Sequence, residues 1–459
     1  MFYIIVSILT AIISGKLFKR YATTLSFTKI NMMSWSFYVA FISYCLIGAT
    51  LVVLNLDDDI VNHLLNKPAS KYIGYWSVIY TLLVFPLGMA LSNKVFHRKN
   101  VPVHFENYLS SPIDRERNDK SFVVAIIIFS IIDILLVAYV FKCYGTIPAL
   151  DLLKNPGLET SLLRTENARD FSGSYSLRTI ASFLTPLLAY TFSVYSARNP
   201  KNKLYRFWAV SMFIVALLMA ASTYEKSSVF MFVLSYAFLW VYVKGKISKR
   251  VLVIGGVFAL FILMASFALL SDGLSGVLTA GELFGMISKR IFLIQIESNF
   301  LQFENFPDPV PFIGFKSIFS EGMSDMLGLP FSEPSSRLMM EEFDPTGIAA
   351  GVAGVRNSLF ISEAYANWGY LGAILSPLYV GFMVQTVFTL LLYSKKTPYK
   401  VALLVSFSIN NHLTQGVNYY VFNELIVWII IISFMIYFTR DMISYSENSK
   451  QVLSKRNQQ

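Results

Sequence analysis

The chain is poor in charged residues, cysteine and histidine. Only 14% of its 459 residues are Asp, Glu, Lys or Arg, against about 25% in soluble domains. Its two cysteines, Cys45 and Cys143, form no CxxC pair or disulfide framework, so we interpret both as small apolar fillers. No HExxH, P-loop, GxGxxG or GxSxG sequence occurs. The sequence therefore gives no support for nucleotide binding, a cofactor or a metal site.

Hydrophobic residues make up 55% of the chain, and they are gathered in long runs. Most of these runs approach the ~20 residues that cross about 30 Å of hydrocarbon. The runs cover residues 2–15, 31–55, 72–92, 121–141, 178–197, 207–222, 227–243, 251–270, 358–393, 401–418 and 419–439. They predict an all-α polytopic integral membrane protein, a single membrane domain over 1–459 with about eleven transmembrane helices.

Basic residues are concentrated in every second gap between the runs. They are Lys16, Lys19, Arg20 and Lys29; Lys94, Arg98, Lys99, Arg115, Arg117 and Lys120; Arg198, Lys201, Lys203 and Arg206; Lys244, Lys246, Lys249 and Arg250; Lys395, Lys396 and Lys400; and Arg440, Lys450, Lys455 and Arg456. The positive-inside rule makes these gaps cytoplasmic, which places the N-terminus outside and the C-terminus inside. This dispersed charge explains the net charge of +10 and does not indicate nucleic-acid binding.

Two of the outward gaps are long loops, 143–177 and 271–357. The larger loop contains an amphipathic stretch, Leu283 to Phe303, which predicts short helices lying on the outer interface or capping the bundle. The loops carry arginines where the inside rule disfavours them. They are Arg164, Arg169, Arg290, Arg337 and Arg356. Ordinary surface pairing with nearby carboxylates would explain them, and so would a grip on a lipid diphosphate, because the guanidinium fork binds phosphate bidentately.

The segment 356–372 closes the larger loop and opens the ninth run. That run is too long for one span, so we predict a half-helix that turns near Gly369 before the chain crosses. On a continuous helix Arg356, Glu363 and Asn367 would share one face, and a polar face on a membrane helix is costly unless it lines a cavity. Tyr365 fits an interfacial aromatic belt or a sugar-stacking surface.

The pattern Asn-Ser-(x4)-Glu-(x)-Tyr-(x)-Asn-Trp-Gly-(x2)-Gly in this segment resembles the hallmark of Wzy-type O-antigen or oligosaccharide repeat-unit polymerases. The layout of spans and outward loops is similar too. The segment resembles the O-antigen ligases more distantly, because Arg356-Asn357 occupies the position where those enzymes have a histidine. A lipid-linked oligosaccharide flippase is the alternative from another class, but the large 271–357 loop and the lack of an internal repeat argue against it.

The resemblance implies a glycosyltransferase of the bacterial inner membrane, part of lipopolysaccharide or other polysaccharide biosynthesis. Its substrates would be undecaprenyl-diphosphate-linked oligosaccharides, with membrane lipids and a chain-length regulator protein as candidate partners. A hydroxyl of one repeat unit would attack the anomeric carbon of another, and undecaprenyl diphosphate would leave without help from a metal. This chemistry needs a general base and cationic clamps.

We assign candidate catalytic roles to Glu363, as the general base or as the carboxylate that orients one, and to Arg290 and Arg356 as clamps. Candidate substrate-binding residues are Arg164, Arg169, Arg337, Asn357, Asn367, Tyr365 and His412. An Arg356–Glu363 ion pair that only holds the half-helix is the alternative for those two residues. Asp133, mid-span in the fourth run, is either a functional acid or a structural hydrogen-bonding group.

Overall fold

The computed structural model describes residues 1–150, 171–224, 226–257, 280–349, 354–410 and 412–456. These residues form helices and connecting loops, with no β-strand among them. Nine helices in the described part are long and apolar enough to cross a membrane, and Pro398–Ile409 is a shorter apolar helix. The predicted all-α, multi-span architecture is confirmed at this level. The run at 251–270 lies largely outside the described residues.

The helices are numbered in chain order. They are α1 Phe2–Tyr21, α2 Met32–Val53, α3 Pro68–Val95, α4 Val101–Ser110, α5 Asp119–Tyr144, α6 Tyr175–Arg198, α7 Lys203–Ala221, α8 Lys226–Lys244, α9 Ala280–Phe292, α10 Glu297–Asn305, α11 Glu321–Leu327, α12 Ser335–Phe343, α13 Pro345–Ala349, α14 Phe360–Leu392, α15 Pro398–Ile409, α16 Asn418–Val421 and α17 Glu424–Arg456. Residues 36–47 of α2 are wound as a π-helix.

The basic gaps meet at one end of the bundle, which we call the basic face. Asn93 donates to the carbonyl of Tyr21 at 2.6 Å, and the backbone N–H of Asp114 donates to the carbonyl of Lys396 at 2.8 Å. The gaps at this end are 22–31, 96–118, 199–202, 245–250 and 393–397. Alternate basic gaps therefore do lie together, as the charge pattern predicts.

The opposite end, which we call the loop face, carries Met1 and the described parts of the two long loops. There the backbone N–H of Lys67 donates to Glu304 Oε1 at 2.9 Å, and the N–H of Ser358 donates to the carbonyl of Thr414 at 3.1 Å. The long loops are thus attached to the bundle rather than extended from it.

Helices α3 and α14 form the central pair of the bundle. A Cβ added at Gly88 would collide with the carbonyl of Leu378, and one added at Gly381 would collide with the carbonyl of Phe85. The two backbones can approach this closely only because both positions lack a side chain. This close crossing fixes α14, which carries Glu363 and Asn367, against the rest of the bundle.

The outer-interface alternative for Leu283 to Phe303 is wrong for the second half of that stretch. The stretch divides into α9 and α10, and all nine residues of α10 are buried. Helix α10 packs between α3 and α14, where Phe300 fills the space beside Gly74. Its polar side chains find partners inside the protein, so their polarity did not indicate exposure to water.

The tenth apolar run, predicted to be one span over 401–418, is also corrected. Helix α15 ends at Ile409, and twelve residues reach only about 18 Å at 1.5 Å per residue. Of the residues between α15 and α16, the described ones, 410 and 412–417, are not helical. Irregular backbone at this depth is tolerated where protein or a cavity surrounds it, and here it packs against the start of α14.

Candidate functional site

The predicted break in the ninth run is confirmed at Trp368 and Gly369. Their backbone angles are non-helical, and Gly369 has φ 64° and ψ −152°, a region that is essentially restricted to glycine. The break frees the carbonyls of Ala366 and Asn367, which accept from the backbone N–H groups of Ile313 at 3.0 Å and Gly314 at 2.9 Å. The half-helix before the break, residues 360–367, is therefore tied to the larger loop.

The segment 412–418 runs beside this half-helix. The N–H of Phe360 donates to the carbonyl of Leu413 at 3.3 Å. Gly416 lies so close to the Glu363 carboxylate that an added Cβ would collide with it. The half-helix and this segment thus form one unit at the loop face.

Glu363 is the centre of a buried cluster with Asn367, Asn418 and Ser317, which we call the carboxylate–amide cluster. Glu363 Oε2 accepts from the backbone N–H of Asn418 at 3.1 Å and Oε1 from its side-chain amide at 3.3 Å. That amide also donates to Ser317 Oγ at 3.0 Å, and Asn367 donates to Asn418 Oδ1 at 3.0 Å. Both oxygens of Glu363 are thus occupied by hydrogen bonds from Asn418, so this geometry suits positioning of the 412–418 segment better than direct proton transfer.

Arg356 does not share a helical face with Glu363 and Asn367, because α14 begins only at Phe360. Its guanidinium instead forms an ion pair with Glu297 of α10 and donates to the carbonyl of Phe343 at 3.2 Å. The suggested Arg356–Glu363 pair is therefore wrong. Burial raises the pKa of Glu297, and the charge of Arg356 acts in the opposite direction.

The other candidate arginines differ in their exposure and in their partners. Arg290 is an exposed residue near the end of α9. Arg337 donates to Glu341 Oε1 at 2.9 Å and to the carbonyl of Gly354 at 2.8 Å. Arg164 and Arg169 lie outside the described residues. Arg337 and Arg356 lie on neighbouring backbone, because the N–H of Arg356 donates to the carbonyl of Ser336 at 3.1 Å. Arg290 is the exposed residue of the described three.

Tyr365 and Asn357 have partners within the protein. Tyr365 is buried rather than part of an interfacial belt, and its ring packs at centroid distances of 4.7 Å from Phe303 and 5.7 Å from Phe312. Asn357 donates to Gln295 Oε1 at 2.7 Å. Both residues therefore hold the loop against the half-helix in this structure.

A cavity of about 420 Å³ opens beside residues 409–410 and 412–415. We call it the His412 cavity. It lies between α2, α6, α7 and α8, and its polar lining comes from hydroxyl, amide and imidazole groups near the loop face. These lining residues are Tyr44, Ser182, Tyr190, Thr223, Ser227, Ser228, Asn410, His412, Thr414 and Gln415. Its size is that of an ordinary small-molecule site.

His412 is the one titratable side chain besides tyrosine among the cavity's described lining residues. Its ring stacks on Tyr419 at 4.4 Å, and Nδ1 lies 2.5 Å from Gln415 Oε1. With Gln415 Oε1 as the acceptor, Nδ1 is the protonated nitrogen. Nε2 has no hydrogen-bond partner in the described part of the chain. Burial lowers the pKa of His412, which favours the neutral imidazole with a free lone pair at Nε2.

Asp133 lies inside the bundle, on α5. Thr185 of α6 donates to Asp133 Oδ1 at 3.1 Å, while Oδ2 is buried with no hydrogen-bond partner among the residues described. Thr185 is next to Pro186, which lines the His412 cavity. Because only one of its two oxygens has a hydrogen-bond partner among the described residues, Asp133 is compatible with either a functional or a structural role.

The sequence pattern found the break at Gly369 and the importance of 356–372. It missed Glu297, Ser317 and Asn418. The Asn418 position carried one signal: a polar residue directly after Gly416-Val417 within a run predicted to be membrane-spanning. Comparison with family models, characterised proteins and solved structures finds no match for this chain.

Proposed function

We propose that this protein is a polymerase that joins undecaprenyl-diphosphate-linked oligosaccharide repeat units on the periplasmic side of the bacterial inner membrane. The observation that carries the proposal is the His412 cavity, because it lies beside an irregular segment anchored by the carboxylate–amide cluster. Irregular backbone and buried polar groups at membrane depth are costly and mark functional sites. In this proposal the loop face is periplasmic and the chain makes eleven passages.

The passage count rests on chain continuity. Helix α8 ends on the basic face, where the N–H of Ile247 donates to the carbonyl of Thr28 at 2.8 Å. Helix α10 lies at the loop face, where Glu304 contacts Lys67. The proposal counts the apolar run 251–270, most of which lies outside the described residues, as one passage between these two faces. With the short helix α15 and the nine long spans of the described part, this gives the proposed eleven.

The proposed reaction is glycosyl transfer without a metal. The acceptor hydroxyl oxygen forms a bond to the anomeric carbon of the donor, and His412 Nε2 takes the hydroxyl proton. The bond from that carbon to the diphosphate oxygen breaks, its electron pair stays on the diphosphate, and undecaprenyl diphosphate leaves. Arg290 is the described arginine best placed to contact the diphosphate, since it is exposed and a guanidinium stabilises developing phosphate charge.

In this scheme Glu363 is a positioning residue. It holds the backbone N–H and side-chain amide of Asn418, and so fixes the segment that carries His412. Arg356 supports the same region through its ion pair with buried Glu297. Both residues then affect the reaction by fixing where the imidazole lies, which distinguishes them from groups that touch the substrate.

A deletion strain tests the proposal through its surface glycan. If the protein is a polymerase, the deletion strain carries surface lipid capped with single repeat units. A deletion strain without such capped lipid would count against the proposal. Complete loss of surface glycan with repeat units retained inside would indicate a flippase. Loss with finished polymer retained on undecaprenyl diphosphate would indicate a ligase.

The flippase remains the second candidate because of Asp133. An acid in the middle of a span, with one oxygen unpartnered in the described structure, is the kind of group that couples transport to protons. Asp133→Asn separates the two functions. A flippase predicts loss of lipid-linked substrate transfer in that variant, whereas a polymerase predicts that polymer is still made wherever the protein accumulates.

A further inference from the structure

The basic face has a cavity of its own, of about 530 Å³. It lies where α1 and α3 end and α4 begins, at the opposite end of the bundle from the proposed reaction. We call it the basic cavity. Its lining residues are Arg20, Tyr21, Ala90, Asn93, Lys94, His97, Arg98, Lys99, Asn100, Val101, Pro102 and Val103. Four of these side chains are permanent cations, and no carboxylate occurs among the described residues that line it.

The floor of the basic cavity is fixed by hydrogen bonds between three helices. Gln385 of α14 donates to Asn93 Oδ1 at 2.8 Å and to the carbonyl of Tyr21 at 3.0 Å. Asn93 donates to the same carbonyl at 2.6 Å. The guanidinium of Arg98 lies 4.5 Å from the ring centre of Tyr393. The hydrogen bonds hold the cavity in shape without using its cations, and the ring of Tyr393 fixes Arg98, so a ligand would meet a preorganised site.

The backbone adds to the positive potential. Asn100 adopts φ 52°, and α4 starts directly after it, with Val101, Pro102 and Val103 at the wall of the cavity. Val101 and Val103 each carry an N–H group in this first turn, whereas Pro102 carries none. First-turn N–H groups have no partner within their own helix, and the helix dipole favours an anion at this end. Four cationic side chains and the first turn of a helix therefore line the same cavity. Such a combination is suited to binding phosphate.

The membrane-facing surface beside the cavity is apolar. Leu87, Leu91 and Val95 of α3 are exposed and recur every four residues, so they form one stripe along the helix. The stripe leads to the cavity wall at Ala90 and Lys94. A soluble phosphate compound would use only the cationic cavity, whereas a phospholipid would use both the cavity and the stripe.

We propose that the basic cavity binds the head group of an anionic phospholipid, with its phosphate among Lys94, Arg98 and Lys99 and an acyl chain along the α3 stripe. Basic cavities between membrane helices are suited to such head groups, and the volume admits a whole head group rather than a single ion. The site is independent of the proposed polymerase activity, because it lies at the other end of the bundle.

The test is native mass spectrometry of the full-length protein in neutral detergent, titrated with phosphatidylglycerol and, separately, phosphatidylcholine. Wild-type protein is expected to retain phosphatidylglycerol in preference. Each cation near an anionic lipid changes affinity about fivefold, so Lys94→Gln/Lys99→Gln is expected to weaken retention on the order of 25-fold. Both lysines are exposed, and an unchanged thermal midpoint confirms that the variant is folded.

The matched control is Lys201→Gln/Lys203→Gln, which removes the same charge from exposed positions on the basic face outside the cavity. It is expected to bind phosphatidylglycerol like wild type. An equal loss in both double variants would overturn the site in favour of general surface charge. Binding of glycerol 3-phosphate as tight as that of the lipid, and equally dependent on Lys94 and Lys99, would overturn the lipid and indicate a soluble phosphate compound. If wild-type protein retains phosphatidylglycerol no better than phosphatidylcholine, both the lipid site and the soluble-phosphate alternative are overturned.

Discussion

The ion pair between Arg356 and Glu297 gives the sharpest prediction about stability. Glu297 is 7% exposed, and the Arg356 side chain is 14% exposed. Arg356→Ala leaves a carboxylate in the protein interior without its cation. Removing one partner of a buried pair costs about 3–5 kcal/mol, and we expect the lower end because the arginine is partly exposed.

The assay is the thermal midpoint of the purified protein in detergent micelles. Lys289→Ala is the matched control, since Lys289 pairs with Asp58 at 3.0 Å on the surface, with side chains 42% and 71% exposed. Such exposed pairs contribute about 0–1 kcal/mol. The double variant Arg356→Gln/Glu297→Gln should recover much of the loss, because it leaves no uncompensated charge.

The pH dependence has a definite sign. Burial raises the folded-state pKa of Glu297 and Arg356 lowers it, so removing Arg356 raises that pKa further. A group whose pKa is raised on folding contributes most stability at low pH and loses it as pH rises through the folded value. The deficit of Arg356→Ala should therefore shrink on acidification. A midpoint like that of wild type at neutral pH would refute the buried pair and favour a clamp that faces solvent.

Three further predictions concern Gly369, His412 and Glu363 at the loop face. Gly369→Ala should cost about 1–3 kcal/mol because of its backbone angles, while Gly285→Ala, with open space at the Cβ position, should not reduce the thermal midpoint. His412→Gln should abolish polymer formation at normal protein levels. In wild type the acid limb of kcat/KM should lie below the ordinary histidine pKa of 6.5, because burial lowers it and activity needs the neutral ring. Glu363→Gln should lower kcat but leave the acid limb of kcat/KM in place. If Glu363 were the base, the acid limb would disappear in this variant.

The sequence predicted those features that depend on local composition. The alternation of basic gaps follows from charge, and helices α1 to α3 and α5 to α8 follow from apolar run length. The short helix α4 lies in a basic gap and was not predicted. The break at Gly369 was predictable because the run exceeded one span and contained a glycine after an interfacial tryptophan. Each of these signals comes from residues that are close together in the sequence.

What could not be predicted depends on contacts between distant segments. The polar residues of α10 suggested a water-facing surface, yet Asn299 donates to the carbonyl of Gly74 at 3.2 Å and Glu304 accepts from the N–H of Lys67. The end of α15 at Ile409 likewise depends on the start of α14, which supplies N–H donors to the irregular segment. The burial of α10 and the end of α15 both depend on partners more than fifty residues away in the sequence. The periodicity of the sequence does not indicate such partners.

The most direct test of the proposed function is reconstitution. Purified protein in liposomes is supplied with undecaprenyl-diphosphate-linked repeat units in excess EDTA, and both polymer length and released undecaprenyl diphosphate are measured. The polymerase account predicts a ladder of polymers, one undecaprenyl diphosphate released for each bond formed, and loss of both with His412→Gln. Movement of intact lipid-linked substrate across the bilayer with no release of undecaprenyl diphosphate would contradict it.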